Sequence, residues 1–452
     1  MDHDLIVIGG GAAGLAAARA ARRRRARVAL ISDAPLGGDC TFSGCVPSKT
    51  LLNAARQGLS FSAAMTRVSD VIDSIARTES VAVVRAEGVD VIEARARFTD
   101  ATTLDVDGAR MRARRVVLAT GAGPLVPAIP GLDRGSVLTN EEIFTLNALP
   151  RRLAILGGGP IGVEIAEAFA RLGSQVTIVE AAARLLPREE PEASEVIANY
   201  LSQLGVRLLS ATRCVAVHHG ATTTLSFATG PALECDALVV AVGRRPTSGD
   251  LGLEVAGVAL DERGFVTVGA NLRTSARHVY AAGDVSQALQ FTHVADETGR
   301  LAAANALSRV AWRRFHPEWI PMVTYTGLEV ARVGVREAEA PRGARVAYLP
   351  MAEFDRAVMS GEERGFVKII AGPRRLSGHL AGGQILGATI VAPRAGEMLA
   401  EVVLAMRAGL YGARLATATH AYPTWSMAVQ MTAAQFFGEF GGRRARQVDS
   451  GE

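Results

Sequence analysis

The chain has 452 residues, of which 49% are hydrophobic, and a formal net charge of +4 at neutral pH. This length predicts several domains, and the small charge, with basic residues mostly scattered, argues against a nucleic-acid partner. Four cysteines are too few for the disulfide framework of a small secreted protein. Because the sequence shows neither a signal peptide nor an apolar run of membrane-spanning length, we expect a cytoplasmic protein without a membrane partner.

The N-terminal segment predicts a strand, a glycine turn and a helix. The apolar run 5–8 precedes the turn, an alanine-rich helical stretch follows it, and the apolar run 27–31 closes a βαβ unit. Such a turn brings the backbone close to a pyrophosphate, and an acidic residue after the second strand binds ribose hydroxyls. The predicted cofactor-binding residues of this unit are Gly9, Gly11, Ala13, Gly14 and Asp33.

A pair of cysteines, Cys40 and Cys45, lies in the run 37–49. Alone, a C-x4-C pair could be a structural disulfide or two buried thiols. Beside a dinucleotide turn it indicates a redox disulfide next to a flavin. Four intervening residues allow the pair to lie on the first turn of a helix, where the dipole and exposed amides lower a thiol pKa. Cys214 and Cys235 are predicted to be ordinary buried thiols.

Three further strand ends carry glycine or polar residues. After a predicted long helix over 53–76, the strand 116–119 leads into Thr120 and Gly121, and the strand 238–242 leads into Gly243. The strand 279–282 leads into Gly283 and Asp284, where a carboxylate is well placed to bind a polar cofactor chain.

A second copy of the dinucleotide pattern begins after residue 150. The strand 153–156 precedes Gly157, Gly159 and Gly162, and a later strand ends at Glu180. Because each glycine turn holds one pyrophosphate, the duplication predicts two bound dinucleotides. Glu180 favours NADH, since a carboxylate accepts hydrogen bonds from the 2′-hydroxyl and repels a 2′-phosphate. Arg184 lies close enough to weaken that preference.

Several motifs, taken together, are specific to one family of enzymes. They are the run 37–49, residues 119–121, the second glycine turn with Glu164, the Gly283-Asp284 pair and the run 325–331. The chain resembles class I pyridine nucleotide-disulfide oxidoreductases over essentially its whole length. The resemblance implies an α/β fold with two Rossmann-like dinucleotide-binding domains plus a C-terminal α+β dimerisation domain. It predicts an FAD-binding domain over 1–150, an NAD(P)H-binding domain over 151–270, a return to the FAD-binding domain over 271–320 and a dimerisation domain over 321–452.

The resemblance also implies cofactors, partner and roles. The enzyme would be a homodimer that passes electrons from NAD(P)H through FAD to the Cys40–Cys45 disulfide. By analogy Cys45 faces the flavin, Cys40 meets the substrate, and Lys49 pairs with Glu164 near the flavin. Asp284 would bind the ribityl chain, with Gly38 also in the FAD site. The family usually has glutamate where this chain has Ser32, so Asp33 is expected to substitute with shifted geometry.

The C-terminal segment departs from the family's disulfide reductases. Where these carry a histidine and glutamate dyad, this chain has Tyr422 and Met427. A tyrosine, with a reference pKa of about 10, is a poor general base at neutral pH. Mercuric reductases have a tyrosine at this position and a similar helix, and soft Hg(II) prefers thiolates. They also carry a C-terminal vicinal cysteine pair and an N-terminal metal-binding domain, neither of which we find here.

The sequence predicts an FAD-dependent, mercuric reductase-like enzyme that passes electrons from NADH to a thiol-reactive acceptor, with no resident metal. Alternatives are a low-molecular-weight disulfide reductase resembling dihydrolipoamide dehydrogenase, and reduction of quinones or metal ions directly from the flavin. A redox-responsive binding module is another alternative. His420 is a candidate displaced acid or base, and His293 is either catalytic or a packing residue.

Overall fold

The computed structural model describes residues 3–112, 114–286, 289–374 and 378–448. The helices, in chain order, are α1 (Ala12–Arg22), α2 (Gly38–Phe42), α3 (Cys45–Arg56), α4 (Phe61–Thr78), α5 (Val81–Ala86), α6 (Pro160–Leu172), α7 (Pro191–Gln203), α8 (Thr292–Ala306), α9 (Asp355–Ser360), α10 (Ala395–Arg407), α11 (Gly412–Thr417) and α12 (Met427–Ala434). Within these described ranges, no helix combines the length and the apolar character needed to cross a membrane.

The strands of the first half are β1 (Leu5–Ile8), β2 (Val28–Ile31), β3 (Asp90–Ile92), β4 (Ala96–Phe98), β5 (Thr103–Val106), β6 (Ala109–Arg112), β7 (Val116–Leu118), β8 (Ala122–Pro124), β9 (Arg152–Leu156), β10 (Gln175–Val179) and β11 (Arg207–Leu209). Those of the second half are β12 (Cys214–His219), β13 (Thr223–Phe227), β14 (Leu233–Cys235), β15 (Ala237–Val240), β16 (Arg244–Pro246), β17 (Val279–Ala281), β18 (Met322–Thr324), β19 (Glu329–Gly334), β20 (Arg345–Pro350), β21 (Phe366–Gly372), β22 (Gln384–Ala392) and β23 (Arg446–Gln447).

The chain divides into two compact units. The first comprises Met1–Pro150, Ala216–Thr224 and Cys235–Pro317, and the second comprises Arg151–Val215, Leu225–Glu234 and Glu318–Glu452. The four domain ranges expected from the sequence stay predictions.

The first unit contains a parallel sheet in the order β17-β7-β1-β2-β3. Its central strands are fully buried apolar runs, as expected for a parallel sheet covered on both faces. Helices α1 and α8 pack closely where Gly299 faces Ala13. A side chain at Gly299 would not fit, since a Cβ there would lie 2.2 Å from the Ala13 carbonyl oxygen. This packing positions the N-termini of both helices at the site described below.

The prediction of one continuous helix over 53–76 is wrong, because two helices cover this region. Helix α3 ends at Arg56 and α4 begins at Phe61. Between them Gly58 has φ +74°, a backbone conformation that glycine adopts without strain. Ser60 then caps α4 by accepting a hydrogen bond from the backbone of Ala63.

The second unit holds a parallel array, β11-β10-β9, with α6 following β9. It also holds a six-stranded sheet in the order β18-β19-β22-β21-β20-β23. The pairings of this sheet are antiparallel, and α10 and α12 contribute to its apolar core. The α/β fold class with a separate α+β domain, predicted from the sequence, is confirmed.

Candidate active site

The carboxyl edge of the five-stranded sheet in the first unit forms a backbone cradle. Gly9 has φ +107°, and a Cβ there would lie 2.3 Å from the Ala119 carbonyl oxygen. A Cβ on Gly14 would lie 1.8 Å from the Gly9 carbonyl oxygen, and one on Gly38 would lie 2.8 Å from Gly11 Cα. Only glycines fit these approaches, so the backbone amides at the start of α1 stay accessible to a pyrophosphate.

Asp33 lies in a cleft that continues from this cradle. The cleft has a volume of about 620 Å³, and its walls include Leu36 and Ala94. Asp33 Oδ2 accepts a hydrogen bond from Arg95 Nε over 2.8 Å, and both side chains are exposed. Ser32 Oγ donates to the Ala34 carbonyl over 2.8 Å, so Ser32 is engaged locally. The Asp33 carboxylate therefore lies in an open cleft, where it can accept further hydrogen bonds.

The two cysteines of the motif lie together at helix ends. Cys45 is the first residue of α3 and is exposed, whereas Cys40 is half-buried in α2. Thr292 Oγ1 donates a hydrogen bond to Cys40 Sγ over 3.0 Å and lies 3.4 Å from Cys45 Sγ. Hydrogen bonding with Cys45 and burial raise the pKa of Cys40, while the Thr292 hydrogen bond opposes that rise. The raised pKa favours the thiol form of Cys40, and Cys45 lies at a helix N-terminus that favours a thiolate.

Thr292 was not identified from the sequence. It begins α8 and comes from a different part of the chain, so its nearness to the cysteines depends on the packing of α8. The adjacent His293 stacks on Phe291, with ring centroids 5.4 Å apart.

An arginine between two carboxylates lies in the same unit. Arg244 Nη2 is 2.6 Å from Asp39 Oδ2, and Arg244 Nε is 3.4 Å from Asp284 Oδ2. Burial raises the pKa of Asp284 to about 6, although the nearby Arg244 acts in the opposite direction. Neither Arg244 nor Asp39 was identified from the sequence, and the only available signal was that Asp39 adjoins Cys40.

The remaining predicted residues of the first unit lie at turns. Thr120 Oγ1 donates to the Thr247 carbonyl over 2.5 Å, and Gly121 has φ +74°. Gly243 precedes Arg244, with φ +149°. The backbone N–H of Gly283 donates to Thr298 Oγ1 over 3.0 Å, which fixes the turn before Asp284.

The glycine turn of the second unit repeats the cradle. Gly157 has φ +112°, and a Cβ on Gly162 would lie 2.0 Å from the Gly157 carbonyl oxygen. Among the described residues other than its chain neighbours, no atom lies within 4 Å of a Cβ built on Gly159, the residue before α6. This turn has the shape required to hold a second pyrophosphate.

Glu180 and Arg184 are both held by local hydrogen bonds. The two carboxylate oxygens of Glu180 accept the backbone N–H groups of Gly158 and Ala182, each over 2.6 Å. Arg184 Nη1 donates to Ser194 Oγ over 2.8 Å and to the Glu189 carbonyl over 2.9 Å. The Arg184 hydrogen bonds therefore go to Ser194 in α7 and to carbonyls of the segment before α7, while the Glu180 carboxylate remains beside the glycine turn.

Glu164 is a buried carboxylate in α6. Its Oε1 accepts the backbone N–H of Tyr325 over 2.9 Å. One turn later, Glu167 accepts from Tyr200 Oη and from the backbone of Gly327. The run 325–331 is thus anchored on α6. Lys49 lies in α3 of the other unit, so its pairing with Glu164 stays a prediction.

Tyr422 is 60% exposed in the second unit. Its Oη donates to Asp355 Oδ2 over 3.2 Å, and this hydrogen bond raises the pKa of Tyr422. The phenol is consequently protonated at neutral pH and can donate a proton or a hydrogen bond, but it is a poor base.

His420 is hydrogen-bonded at both ring nitrogens. Nδ1 lies 2.9 Å from the Ala418 carbonyl oxygen, and Nε2 lies 2.9 Å from Glu401 Oε2. Burial raises the pKa of Glu401, although His420 acts against this rise. Both ring nitrogens therefore contact acceptors of the second unit, which fix the position of the imidazole.

Each of the two glycine cradles is followed by a carboxylate, Asp33 or Glu180, of the kind that binds a ribose, and the cysteine pair lies at a helix N-terminus. Together these features fit FAD and a nicotinamide dinucleotide. In fold and site, the protein is a flavin- and nicotinamide-dependent disulfide oxidoreductase. Residues 3–299 match the pyridine nucleotide-disulphide oxidoreductase family, and residues 320–433 match its dimerisation domain. The chain belongs to this family, which uses FAD and NAD(P)H, and it carries a domain that supports a homodimer.

Several known proteins are similar along almost the whole chain. The mercuric reductase of Streptomyces lividans is 36% identical, with 96% of each chain covered. The dihydrolipoyl dehydrogenase of Thermus scotoductus is 32% identical, covering 94% of this chain and 95% of the relative. A solved Cu(II) complex of the HOCl-induced flavoprotein disulfide reductase RclA from Escherichia coli is 32% identical, with a TM-score of 0.85, covering 94% of this chain and 98% of that chain.

Proposed function

We propose that the enzyme oxidises NADH and delivers two electrons through the Cys40–Cys45 pair to a soft metal ion, Hg(II). The observation that carries this proposal is the contact of both sulfurs with Thr292 Oγ1, one sulfur exposed and one half-buried. Two adjacent sulfurs of this kind can bind a thiophilic ion. The similarity to mercuric reductases supports the same acceptor.

FAD, when bound, supplies two-electron transfer between the nicotinamide and the disulfide. The glycine cradle at Gly9, Gly11, Gly14 and Gly38 would hold its pyrophosphate, Asp33 its ribose, and Asp284 its ribityl chain. Cys45 would face the flavin, and Cys40 would meet the acceptor. Over one turnover NADH loses a hydride, Hg(II) gains two electrons to become Hg(0), and one proton is released to solvent.

Glu180 and Arg184 support NADH as the electron donor. The carboxylate of Glu180 would accept the 2′-hydroxyl of NADH and repel a 2′-phosphate. Arg184 donates to Ser194 and to backbone carbonyls, which leaves few of its N–H donors to bind that phosphate.

Small disulfides are the second candidate acceptor, favoured by the similarity to a dihydrolipoyl dehydrogenase. This reaction requires a proton for the leaving thiol. Tyr422 is protonated and exposed, so it can donate that proton, whereas His420 is bonded within its own domain.

The test is the anaerobic rate of NADH oxidation by the FAD-loaded dimer, with thiol-complexed Hg(II), Cu(II) or a panel of small disulfides as acceptor. The Cys40→Ser variant is assayed in parallel, and Cys235→Ser is the control for loss of a cysteine outside the pair. A fast rate with Hg(II) that requires Cys40 supports the proposal. A fast rate confined to one disulfide assigns the second function. A metal-ion rate that persists in Cys40→Ser places the reduction of metal ions directly at the flavin.

A further inference from the structure

Three charged side chains of the first unit form one half-buried cluster beside the cysteine motif. The Arg244 side chain is 13% exposed, Asp284 is 18% exposed and Asp39 is 35% exposed. Arg244 Nη2 pairs with Asp39 at 2.6 Å, whereas only Nε faces Asp284, at the longer distance of 3.4 Å. One guanidinium therefore serves two carboxylates, and the cluster has one excess negative charge when both are ionised.

Asp39 is held rigidly in this arrangement. Its Oδ1 accepts hydrogen bonds from Ser43 Oγ over 2.5 Å and from Asn140 Nδ2 over 3.1 Å. Asn140 is buried and also donates to the Ser43 carbonyl over 3.2 Å. These neutral donors occupy one carboxylate oxygen and direct the other, Oδ2, at Arg244.

The position of Arg244 is also fixed by contacts other than the one with Asp39. It donates to the Ala122 carbonyl, and its strand β16 pairs with β8. With Nη2 bound by Asp39, the guanidinium cannot bring two nitrogens to Asp284 in the bidentate geometry that pairs arginine most strongly with a carboxylate.

The groups that face Asp284 have opposing effects. Burial raises its pKa to about 6, Arg244 lowers it, and the negative charges of Asp39 and Cys45 raise it further. Glu141 adds a weaker charge near Arg244. The protonation of Asp284 thus depends on how the Arg244 charge is divided between the two aspartates.

We infer that Asp39 is a positioning residue for FAD. Asp39 anchors Arg244 by its terminal nitrogen Nη2 and so limits how strongly Arg244 neutralises Asp284. This inference rests on the proposed role of Asp284 at the FAD ribityl chain. It assigns to Asp39, immediately before Cys40, control of the charge at the flavin site.

The test measures FAD release from the holoenzyme. Diluted wild-type, Asp39→Asn and Asp39→Ser proteins are followed by flavin fluorescence from about pH 5 to pH 8, and the FAD dissociation constant is determined at each pH. For the wild type we expect an inflection near pH 6, where Asp284 titrates. In both variants Arg244 can turn toward Asp284, so the inflection should fall by about 1 pH unit or more.

Glu141→Gln is the matched control, because Glu141 places a charge near Arg244 while pairing with Arg134. Its inflection should stay at the wild-type value. An Asp39 variant with an unchanged inflection, or an equal shift in Glu141→Gln, would overturn the inference. Absence of a wild-type inflection would overturn it as well. A wild type that retains no FAD would instead overturn the proposed function, so the two failures are distinguishable.

Discussion

Thr292 Oγ1 donates a hydrogen bond to Cys40 Sγ over 3.0 Å, although the two residues are 252 positions apart in the chain. The hydroxyl lowers the pKa of Cys40, against the effects of Cys45 and burial. Hydrogen bonds to charged groups contribute about 1.5–3 kcal/mol. We therefore expect Thr292→Val to make Cys40 a weaker nucleophile. In the NADH-reduced enzyme at neutral pH, alkylation of Cys40 by iodoacetamide should slow by about 10-fold or more.

Thr292→Ser is the control, because serine keeps the hydroxyl and removes only a methyl group. Its alkylation rate should remain close to that of the wild type. If Thr292→Val reacted as fast as Thr292→Ser, the hydroxyl would have no influence on Cys40.

Cofactor preference should depend on Glu180 and not on Arg184. Glu180→Gln removes the charge that repels a 2′-phosphate but keeps an acceptor for the N–H of Gly158 or Ala182. The ratio of kcat/KM for NADH to that for NADPH should fall by about 10-fold, which corresponds to about 1.4 kcal/mol. Arg184→Met should leave this ratio unchanged and lower only the Tm, since Arg184 bonds to Ser194 and nearby carbonyls. A larger change of ratio in Arg184→Met than in Glu180→Gln would reverse the assignment.

Tyr422→Phe should separate acceptor chemistry from flavin reduction. The hydroxyl is exposed and bonded only weakly, at 3.2 Å, to Asp355. Loss of this protic group should lower kcat/KM for small disulfides, whose leaving thiol needs a proton, by about 10-fold or more. The rate of FAD reduction by NADH in a stopped-flow experiment should stay the same. Asp355→Asn keeps the phenol and serves as the control. Unchanged turnover of small disulfides in Tyr422→Phe would exclude Tyr422 as the proton donor.

His420 should matter for stability more than for turnover. Its Nε2 lies 2.9 Å from Glu401 Oε2 and its Nδ1 lies 2.9 Å from a backbone carbonyl, so His420→Phe leaves a partly buried carboxylate without its partner. We expect a lower Tm at neutral pH with kcat within about twofold of the wild type. Adding Glu401→Gln should restore part of the Tm, because the unpaired charge is then removed. A large loss of kcat without a change in Tm would indicate that His420 acts in catalysis.

The sequence predicted those parts of the site that depend on local order. The glycine turns at Gly9 and Gly157 follow buried strands, and Cys45 begins a helix, because these features are determined within a few residues. The break at Gly58 was missed, since one glycine within a helical pattern does not by itself end a helix.

The contacts that tune the site could not be predicted, because they join distant segments. Thr292 reaches the cysteines through the packing of α8, and Arg244 reaches Asp39 from a strand about two hundred residues later. Arginine is also abundant in this chain, whereas lysine occurs only at positions 49 and 368, so no single arginine stood out.

Lys368 is the second lysine, and it is buried among three carboxylates in the second unit. Its Nζ lies 2.6 Å from Glu192, 2.9 Å from Glu337 and 3.7 Å from Glu190, with the lysine side chain 2% exposed. Burial lowers the pKa of Lys368, but hydrogen bonds to Glu192 and Glu337 outweigh burial and raise it. Burial also raises the pKa of Glu337, but hydrogen bonds from Lys368 and Arg446 outweigh it and hold that pKa below 4.5.

The signs of these shifts define a pH window for the stability that the cluster contributes. The lowered pKa of Glu337 stabilises the fold above about pH 4.5, and this stabilisation is lost as the pH falls. The raised pKa of Lys368 stabilises the fold up to about pH 10.5, and this stabilisation is lost at higher pH. Lys368→Met should therefore cost about 3 kcal/mol at neutral pH, because it leaves buried carboxylates unpaired. Arg443→Met is the matched control, since the Arg443–Glu353 pair is 37% and 43% exposed and should contribute under about 1 kcal/mol. Thermal unfolding of the FAD-loaded dimer should show the Lys368→Met deficit in Tm shrinking as the pH falls toward 4, where the carboxylates take up protons. A deficit that stayed constant over this range would mean that Lys368 stabilises the sheet by packing and not by charge.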